Sequence, residues 1–195
     1  MNRERIAVDL DDVLAANVES FISFSNKNFG TSLTWKNYHH SWAEMWGVDE
    51  AEAERRNLMF HNAENFMNFQ AIPKAQEALQ YLGKKYDLYL VTARRKISID
   101  LTFEWLNAHF ANVFQGVHFV PIWEPNNTLT KADICQDIGA EYLIDDLAKH
   151  CNPAAKAGIK AILFGDYDWN RDEDVVPGVI RCANWQEVLA YFKSL

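Results

Sequence analysis

A cluster of carboxylates at the end of the first apolar segment is the clearest chemical feature of this sequence. Asp9, Asp11 and Asp12 directly follow the apolar stretch 6–8. Two carboxylates about 4 Å apart repel by roughly 4 kcal/mol at an effective dielectric constant near 20, so a bound cation or a shared proton is needed to offset that cost. Because strand side chains alternate, Asp9 and Asp11 are expected on the same side of the chain. A plain strand-end turn is the alternative, since Asp is common in turns.

Chemically useful residues also follow two later apolar segments. Thr92 ends the second predicted strand, and the pair Asp145 and Asp146 ends the fourth. Strands that alternate with helices predict a parallel sheet with helices on both faces. In such sheets ligands bind beyond the carboxyl ends of the strands, so we expect these residues to meet Asp9 at one edge of the sheet.

The elements that must hold these residues follow from apolar spacing, helix caps and chain breakers. The predicted strands are 5–10, 86–92, 117–120, 141–144, 160–164 and 179–181. The predicted helices are 74–85, 97–110, 130–138, 148–157 and 185–192. This order predicts the α/β class, with a parallel sheet between two helical layers.

The segment 16–72 breaks this alternation and is rich in aromatic residues. Its charged residues have helix-like spacing, so we interpret it as a small helical cap inserted after the first strand. The predicted domains are a core of residues 1–15 and 73–195 and a cap of residues 16–72. Most aromatic side chains of the cap are expected in its own core, with one or two facing the active-site cleft to stack on a planar group.

Composition excludes several classes of function. The chain of 195 residues carries a formal net charge of −8, which argues against binding a nucleic acid polymer or an anionic membrane surface. No apolar run approaches the roughly 20 residues needed to span a bilayer, and the first residues lack the apolar core of a signal peptide. The three cysteines, Cys135, Cys151 and Cys182, are far apart and odd in number, which favours free thiols and a cytoplasmic location.

The residue types together fit phosphoryl transfer through an aspartyl-phosphate. Asp9 is the predicted nucleophile, and Asp11 is predicted to protonate the leaving oxygen and then to activate water. Mg²⁺ prefers oxygen ligands, which the side chains of Asp9 and Asp145 and the backbone carbonyl of Asp11 could supply. Thr92 and Lys131 are expected to bind the phosphoryl oxygens, because charge stabilisation is usually the largest catalytic contribution.

At this point the sequence resembles the haloacid dehalogenase-like (HAD) phosphohydrolases, and within them the 5′(3′)-deoxyribonucleotidase-like group. The resemblance covers nearly the full length and is carried by Asp9–Leu14, Thr92-Ala93-Arg94, Lys131 and Leu143–Asp146, with further likeness at 69–73, 163–170 and 181–185. It implies a Rossmann-like core, dependence on Mg²⁺, and a 5′-nucleotidase acting on (deoxy)nucleoside monophosphates. It also implies that Thr92, Ala93, Arg94 and Lys131 bind substrate.

Several alternatives stay open at the level of sequence. Asp145 is favoured as the metal ligand, with Asp146 orienting Lys131 or a water, but the reverse assignment fits the same spacing. Asp12 is expected to face the turn that leads into the cap. The substrate could be another small phosphorylated metabolite, or the chain could be a non-catalytic phosphoryl- or partner-binding protein on the same fold.

Other site classes fit less well. A receiver-type phosphorelay domain shares these residue types, but its Thr and Lys come last, whereas here the acidic pair follows Lys131. The sequence holds no phosphate-binding glycine-rich signature and no histidine and cysteine spacing typical of a zinc site.

Overall fold

The computed structural model describes residues 3–39, 41–122, 124 and 126–195, with only the backbone described for Ala63. The described strands form one parallel sheet of six, in the order β3-β2-β1-β4-β5-β6. The strands are β1 Arg5–Val8, β2 Asp87–Thr92, β3 Gly116–Phe119, β4 Tyr142–Asp145, β5 Lys160–Phe164 and β6 Val179–Cys182. The predicted α/β class with a parallel sheet is therefore confirmed.

Helices cover both faces of this sheet, as parallel strands joined by crossovers require. The helices are α1 Asn17–Phe29, α2 Trp42–Trp46, α3 Glu50–Phe60, α4 Ala63–Met67, α5 Ala75–Leu82, α6 Ile99–Phe110, α7 Lys131–Asp137, α8 Ala148–Lys156 and α9 Trp185–Lys193. Short 3-10 helices span Trp35–Asn37 and Lys96–Ser98.

The strand prediction 5–10 is two residues too long at its end. The Leu10 carbonyl accepts hydrogen bonds from the backbone N–H groups of Leu14 and Ala15, both at 2.9 Å, so the chain turns there. Asp9 still donates its backbone N–H to the Ile144 carbonyl at 2.9 Å, which keeps it at the edge of the sheet. The carboxylates therefore lie on the turn that follows the strand rather than within the strand.

Alternation along the strands divides the buried side chains between two apolar clusters. Val8 and Ile144 face the larger cluster, which packs on α5, α6 and α9. Ala7 and Leu143 face the smaller cluster, which packs on α7 and α8. A residue that continues the alternation from Ala7 or Leu143 is therefore directed toward α7 and α8.

Helices α1 to α4 lie between β1 and α5, and the chain leaves and rejoins the core at adjacent points. Ala15 forms an antiparallel bridge with Ala71. The Ile72 N–H donates to the Leu14 carbonyl at 2.7 Å, and the Ala16 N–H donates to the Gln70 carbonyl at 2.9 Å. The division at 15/16 and 72/73 stays a prediction, and we use "cap" below for residues 16–72.

Candidate active site

A buried ammonium group lies between two buried carboxylates at the carboxyl edge of the sheet. Lys131 Nζ is 2.8 Å from Asp9 Oδ1 and 2.6 Å from Asp145 Oδ2. Asp146 joins this group, since one carboxylate oxygen from each of the three acids lies within 4.8 Å of the others. When all three acids are ionised, they exceed the one ammonium by two negative charges, which a divalent cation would balance.

Strand alternation explains why these side chains meet. Asp9 lies two residues beyond Ala7, and Asp145 lies two residues beyond Leu143, so both point to the face covered by α7 and α8. Lys131 is the first residue of α7, which begins at the N-cap Thr130. The Thr130 hydroxyl accepts from the Asp133 N–H at 3.2 Å, which fixes the start of the helix beneath the two carboxylates.

Burial and the charge of Lys131 have opposite effects on the pKa values of these carboxyl groups. Burial raises the pKa of Asp9 to about 7 despite the opposing charge of Lys131. Burial would also raise the pKa of Asp145, but the charge of Lys131 outweighs it and lowers the pKa below the ordinary value. Burial, together with the charges of Asp145 and Asp9, raises the pKa of Asp146 well above the ordinary value. Asp9 and Asp146 are therefore the two acids whose ionised forms are least favourable here, and a cation would stabilise those forms most.

Asp11 is held by a different cation. Arg94 Nε donates to Asp11 Oδ2 at 2.9 Å and Nη2 donates to Asp11 Oδ1 at 2.5 Å, and the Asn17 amide also donates to Oδ1 at 2.8 Å. Burial would raise the pKa of Asp11, but the Arg94 guanidinium outweighs it and lowers the pKa below its usual range. The guanidinium itself lies 4.1 Å from the ring centre of Phe66. Asp11 is therefore a fixed, ionised carboxylate in this state.

Asp12 connects the acidic turn to the cap. Its φ of 57° is in the left-handed region, and its Oδ1 accepts from the Val18 N–H at 3.0 Å near the start of α1. The carboxylate thus satisfies a helix N-terminus, in the direction expected from the sequence. It is nevertheless buried and lines the cavity described below.

A cavity of about 440 Å³ opens above these groups, between the core and the cap. Of the residues predicted from sequence, its wall includes Asp9, Asp11, Ala93, Arg94 and Lys131. Asp145 and Thr92 lie behind that wall, and both are fully buried. Asp146 lines the cavity, whereas Asp145 does not.

Two buried polar atoms beside the cavity have no hydrogen-bond partner among the described residues: Thr92 Oγ1 and Arg94 Nη1. Unpaired buried donors are uncommon because each costs roughly 1–3 kcal/mol. Both belong to the segment predicted to bind phosphoryl oxygens. The pair therefore indicates that an acceptor group binds here.

Aromatic residues from the cap and from the loop after β5 form part of the remaining wall. Tyr38 and Trp42 come from the cap, His61 follows α3, and Trp169 lies between β5 and β6. The sequence suggested only that one or two cap aromatics would face the cleft, and it did not single out His61 or Trp169. Their separation along the chain left no local pattern that could have indicated them.

His61 is a neutral ring in this wall. Its Nδ1 lies 3.1 Å from the Asn57 carbonyl oxygen, which can only accept, so Nδ1 carries the proton. Its ring stacks on Trp42 with an interplanar angle of 12°. Burial, followed by the charge of Arg94, lowers the pKa of His61 to about 4.

This depressed pKa predicts a loss of stability in mild acid. The unfolded chain takes up a proton at His61 below pH 6.5 while the folded chain resists it until about pH 4, so the free energy of unfolding falls as pH decreases through that window. We expect His61→Phe to reduce the fall by on the order of 1–2 kcal/mol, allowing for the partial exposure of the ring. Urea unfolding of both proteins from pH 7 to pH 4 measures this, and equal slopes would contradict the neutral assignment.

Comparison with known proteins identifies the family. Residues 3–193 match the family described as "5' nucleotidase, deoxy (Pyrimidine), cytosolic type C protein". The chain belongs to this family. The resemblance to HAD phosphohydrolases is thereby confirmed, and the chain is a phosphoric monoester hydrolase of that superfamily.

Curated relatives agree with this membership, and solved structures share the fold. The chain is 28% identical to a 5'(3')-deoxyribonucleotidase from Bacillus subtilis (strain 168), over 94% of this chain and 95% of the relative. The fold is similar to that of a haloacid dehalogenase-like family hydrolase from Streptococcus pneumoniae, with a TM-score of 0.71, 18% identity, and coverage of 97% and 98% of the two chains. A HAD-superfamily hydrolase of subfamily IA from Geobacter sulfurreducens gives a TM-score of 0.64 at 16% identity, over 97% and 96%. Within the described residues, no helix has the length and apolar character to cross a bilayer.

Proposed function

We propose that this family member is a Mg²⁺-dependent phosphomonoesterase that hydrolyses (deoxy)nucleoside 5′-monophosphates through an aspartyl-phosphate. The observation that carries the proposal is the buried group of Asp9, Asp145 and Asp146 around Lys131 at the base of the cavity. The name of the Bacillus subtilis relative, a 5'(3')-deoxyribonucleotidase, supports the choice of substrate class.

The carboxylate oxygens of this group fit a magnesium ion, and the two adjacent acids differ in their hydrogen-bond partners. Both oxygens of Asp145 have protein partners, since Oδ2 accepts from Lys131 at 2.6 Å and Oδ1 accepts from the Leu147 N–H at 3.0 Å. Asp146 lies on the cavity wall, and its Oδ1 accepts no hydrogen bond from a described residue. We therefore assign Asp9 and Asp146 as side-chain ligands, with the Asp11 carbonyl as a third, and Asp145 as the group that holds Lys131. This revises the preference for Asp145 that the sequence alone suggested.

When bound, the metal would supply positive charge to the phosphoryl oxygens and to the attacking carboxylate. Asp9 presents one oxygen to Lys131, which leaves the other to attack phosphorus. The bond from phosphorus to the nucleoside oxygen breaks as the bond to Asp9 forms, and Asp11 donates the proton that the leaving oxygen needs. Asp11 then removes a proton from water, which attacks the phosphoryl group and releases phosphate with the Asp9 carboxylate restored.

Arg94 determines when Asp11 can take up its proton. In the present state the guanidinium pairs with Asp11 through two hydrogen bonds, and its Nη1 has no partner among the described residues. A phosphate that enters the cavity offers the same bidentate geometry and a higher charge. We infer that Arg94 shares its donors with the substrate phosphate, which weakens its hold on Asp11 and allows that carboxyl to be protonated.

The cavity suits a nucleoside as the leaving group. Its volume of about 440 Å³ lies in the range of ordinary small-molecule sites. Tyr38, Trp42 and Trp169 contribute aromatic side chains to its wall, and such side chains are suitable contacts for a nucleobase.

A substrate panel tests the proposal. The full chain is incubated with deoxynucleoside and ribonucleoside 5′-monophosphates and with sugar phosphates, with phosphate release as the readout. We expect nucleotide hydrolysis with added Mg²⁺ and a loss of at least about 10³-fold after chelation, reversed by Mg²⁺. Turnover of sugar phosphates alone would contradict the nucleotidase assignment. No turnover on a broad panel, with binding of a partner protein instead, would favour the non-catalytic alternative.

Thr92→Val separates a role in phosphate binding from a structural role. The hydroxyl is buried without a partner, so its removal is expected to leave the free energy of unfolding unchanged or about 1 kcal/mol higher. If the hydroxyl donates to a phosphoryl oxygen, kcat/KM should fall about 10- to 100-fold.

Thr102→Val is the matched control for this substitution. Thr102 is equally buried, but its hydroxyl donates to the Ser98 carbonyl at 2.6 Å. This control should lose about 1 kcal/mol of stability and keep its activity. A Thr92→Val protein with full activity would remove Thr92 from the phosphate site.

We also propose a cytoplasmic location. Cys135, Cys151 and Cys182 are free and buried, and burial raises the pKa of Cys135 to about 12. Free buried thiols are typical of a reducing compartment. The family description also contains the word cytosolic. Fractionation of the native source with detection of the full chain tests this placement.

A further inference from the structure

The loop between β5 and β6 contacts both acidic segments of the site. Trp169 Nε1 donates to Asp146 Oδ2 at 2.9 Å, and the side-chain amide of Asn170 donates to the Asp146 carbonyl at 2.9 Å. The Tyr167 hydroxyl donates to the Asp12 carbonyl at 2.7 Å. The two turns that carry the acids are therefore fixed by one loop.

The same loop stacks against the cap. The rings of Tyr167 and Trp169 are 4.4 Å apart and 14° from parallel. Trp35, in the 3-10 helix of the cap, lies 6.0 Å from Tyr167 at 6° and 5.8 Å from Trp169 at 16°. Tyr38 packs edge-on against Trp169 at 5.5 Å. A continuous aromatic contact thus runs from the cap to Asp146.

Gly165 makes room for this arrangement. Its φ of +88° is in a region that favours glycine, and a Cβ at this position would lie 2.1 Å from the Tyr167 ring. The ring folds over the glycine, and Tyr167 thereby reaches Asp12. A larger residue at position 165 would therefore displace the Tyr167 ring from this arrangement.

The group that donates to the Asp146 carboxylate is the uncharged indole N–H of Trp169. Asp146 is buried beside Asp145 and Asp9, and among the described residues Lys131 forms its ion pairs with those two acids and not with Asp146. The indole N–H fixes Oδ2 without adding a positive charge that would compete with a metal ion. The other oxygen, Oδ1, accepts no hydrogen bond from a described residue and is left for a ligand. Such outer contacts orient metal ligands, and their loss typically weakens metal affinity 10- to 100-fold.

We propose that Trp169 is a positioning residue that holds Asp146 for the metal, and that Trp35 of the cap holds Trp169 in place. Seating of the cap and binding of the metal are then coupled through this stack. The proposal rests on the metal site assigned under the proposed function. Neither Trp35 nor Trp169 contacts the reacting atoms in this assignment.

Direct binding of Mn²⁺ to the full chain without substrate tests the positioning role by titration calorimetry. Trp169→Phe keeps the ring and removes the N–H, and we expect its dissociation constant for Mn²⁺ to rise at least about tenfold. Trp46→Phe is the matched control, because that indole donates at 3.0 Å to Ser25 within the cap, away from the carboxylates. The control should bind Mn²⁺ within about twofold of the wild type. Unchanged affinity in Trp169→Phe would overturn the positioning role.

The cap contact is tested with Trp35, which is 39% exposed and whose replacement leaves no buried cavity. Trp35→Ala should weaken Mn²⁺ binding by about threefold, and Trp35→Tyr, which keeps a stacking ring, should restore it. Equal affinity of Trp35→Ala and wild type would overturn the coupling to the cap. Should Trp169→Phe fail to fold, a normal Mn²⁺ affinity in Trp35→Ala would also overturn the proposal.

Asp146→Asn distinguishes this proposal from the one on which it rests. If the wild type binds Mn²⁺ more tightly than Asp146→Asn, the metal site stands and the tryptophan variants decide the positioning role. If the two bind equally weakly, the metal assignment itself is wrong and the positioning role falls with it.

Discussion

Asp9→Asn should abolish phosphate release, with kcat lowered by at least about 10⁴-fold, because an amide cannot form the phosphoryl ester that divides the reaction into two steps. The loss should not come from unfolding. Asp9 is buried, and its pKa is raised to about 7 by that burial, so a neutral amide removes an unfavourable charge. Lys131 keeps Asp145 as its partner at 2.6 Å. Without metal, the variant should therefore unfold at or above the denaturant concentration of the wild type.

Two further measurements test the role of Asp9 as nucleophile and metal ligand. When the reaction with a substrate labelled in its phosphate group is stopped with acid during turnover, the peptide that carries Asp9 should be labelled in the wild type. The same peptide should carry no label in the variant. Mg²⁺ should also raise the unfolding midpoint of the variant less than that of the wild type, since a ligand of the metal has lost its charge.

Asp87→Asn is the matched control. It makes the same chemical change at the first residue of β2, at the opposite end of the sheet, where Asp87 pairs with Arg3 at 3.5 Å. This control should keep full activity. Activity in Asp9→Asn comparable to the control would show that the nucleophile lies elsewhere.

The parts of the site that follow from local rules were accessible from the sequence. Strand alternation and the parallel order of the sheet place Asp9, Thr92 and Asp145 at one edge, and the structure has them there. The start of α7 at Lys131 was also within reach, since Thr130 supplies a helix cap.

The separate roles that we propose for Asp145 and Asp146 were not accessible from the sequence. Both follow β4, and the choice depends on which side chain continues the alternation toward α7 and which turns into the cavity. That is set by where the strand ends, and strand ends are poorly fixed by local sequence. The stack of Trp35 on Trp169 was equally hidden, because it joins residues far apart along the chain and leaves no periodic signal.

The present partner of Arg94 was also not predictable from the sequence. The sequence placed it at the phosphate site, but its present partner is the carboxylate of Asp11, with a ring of the cap beneath it at 4.1 Å. A side chain with five donors can serve a carboxylate and a phosphate by turns. Residue type indicates such a donor, and only the surrounding packing shows which acceptor it meets before the substrate arrives.

Lys131→Met should have the second large effect, on stability as well as on rate. The side chain is 1% exposed and is the counter-charge for Asp9 and Asp145, so its loss leaves these buried carboxylates without a cation. Breaking a buried pair in this way costs about 3–5 kcal/mol in the free energy of unfolding. The rate should also fall about 10²- to 10³-fold, because the charge that stabilises the phosphoryl group is gone.

The pH dependence of this deficit identifies its cause. Without Lys131, burial raises the pKa values of both carboxyls above those of the unfolded chain, so the folded state binds more protons at mildly acidic pH. The stability lost in Lys131→Met relative to the wild type should therefore shrink as pH falls from 7 toward 5. Urea unfolding in chelator across this range measures it, with Lys84→Met, an exposed lysine, as the control that should change stability by less than about 0.5 kcal/mol. A stability deficit that is independent of pH would indicate lost packing of the lysine stem. A deficit that shrinks in acid, and that Mg²⁺ also reduces, would show that these buried acids require a single positive charge, which either lysine or the metal can supply.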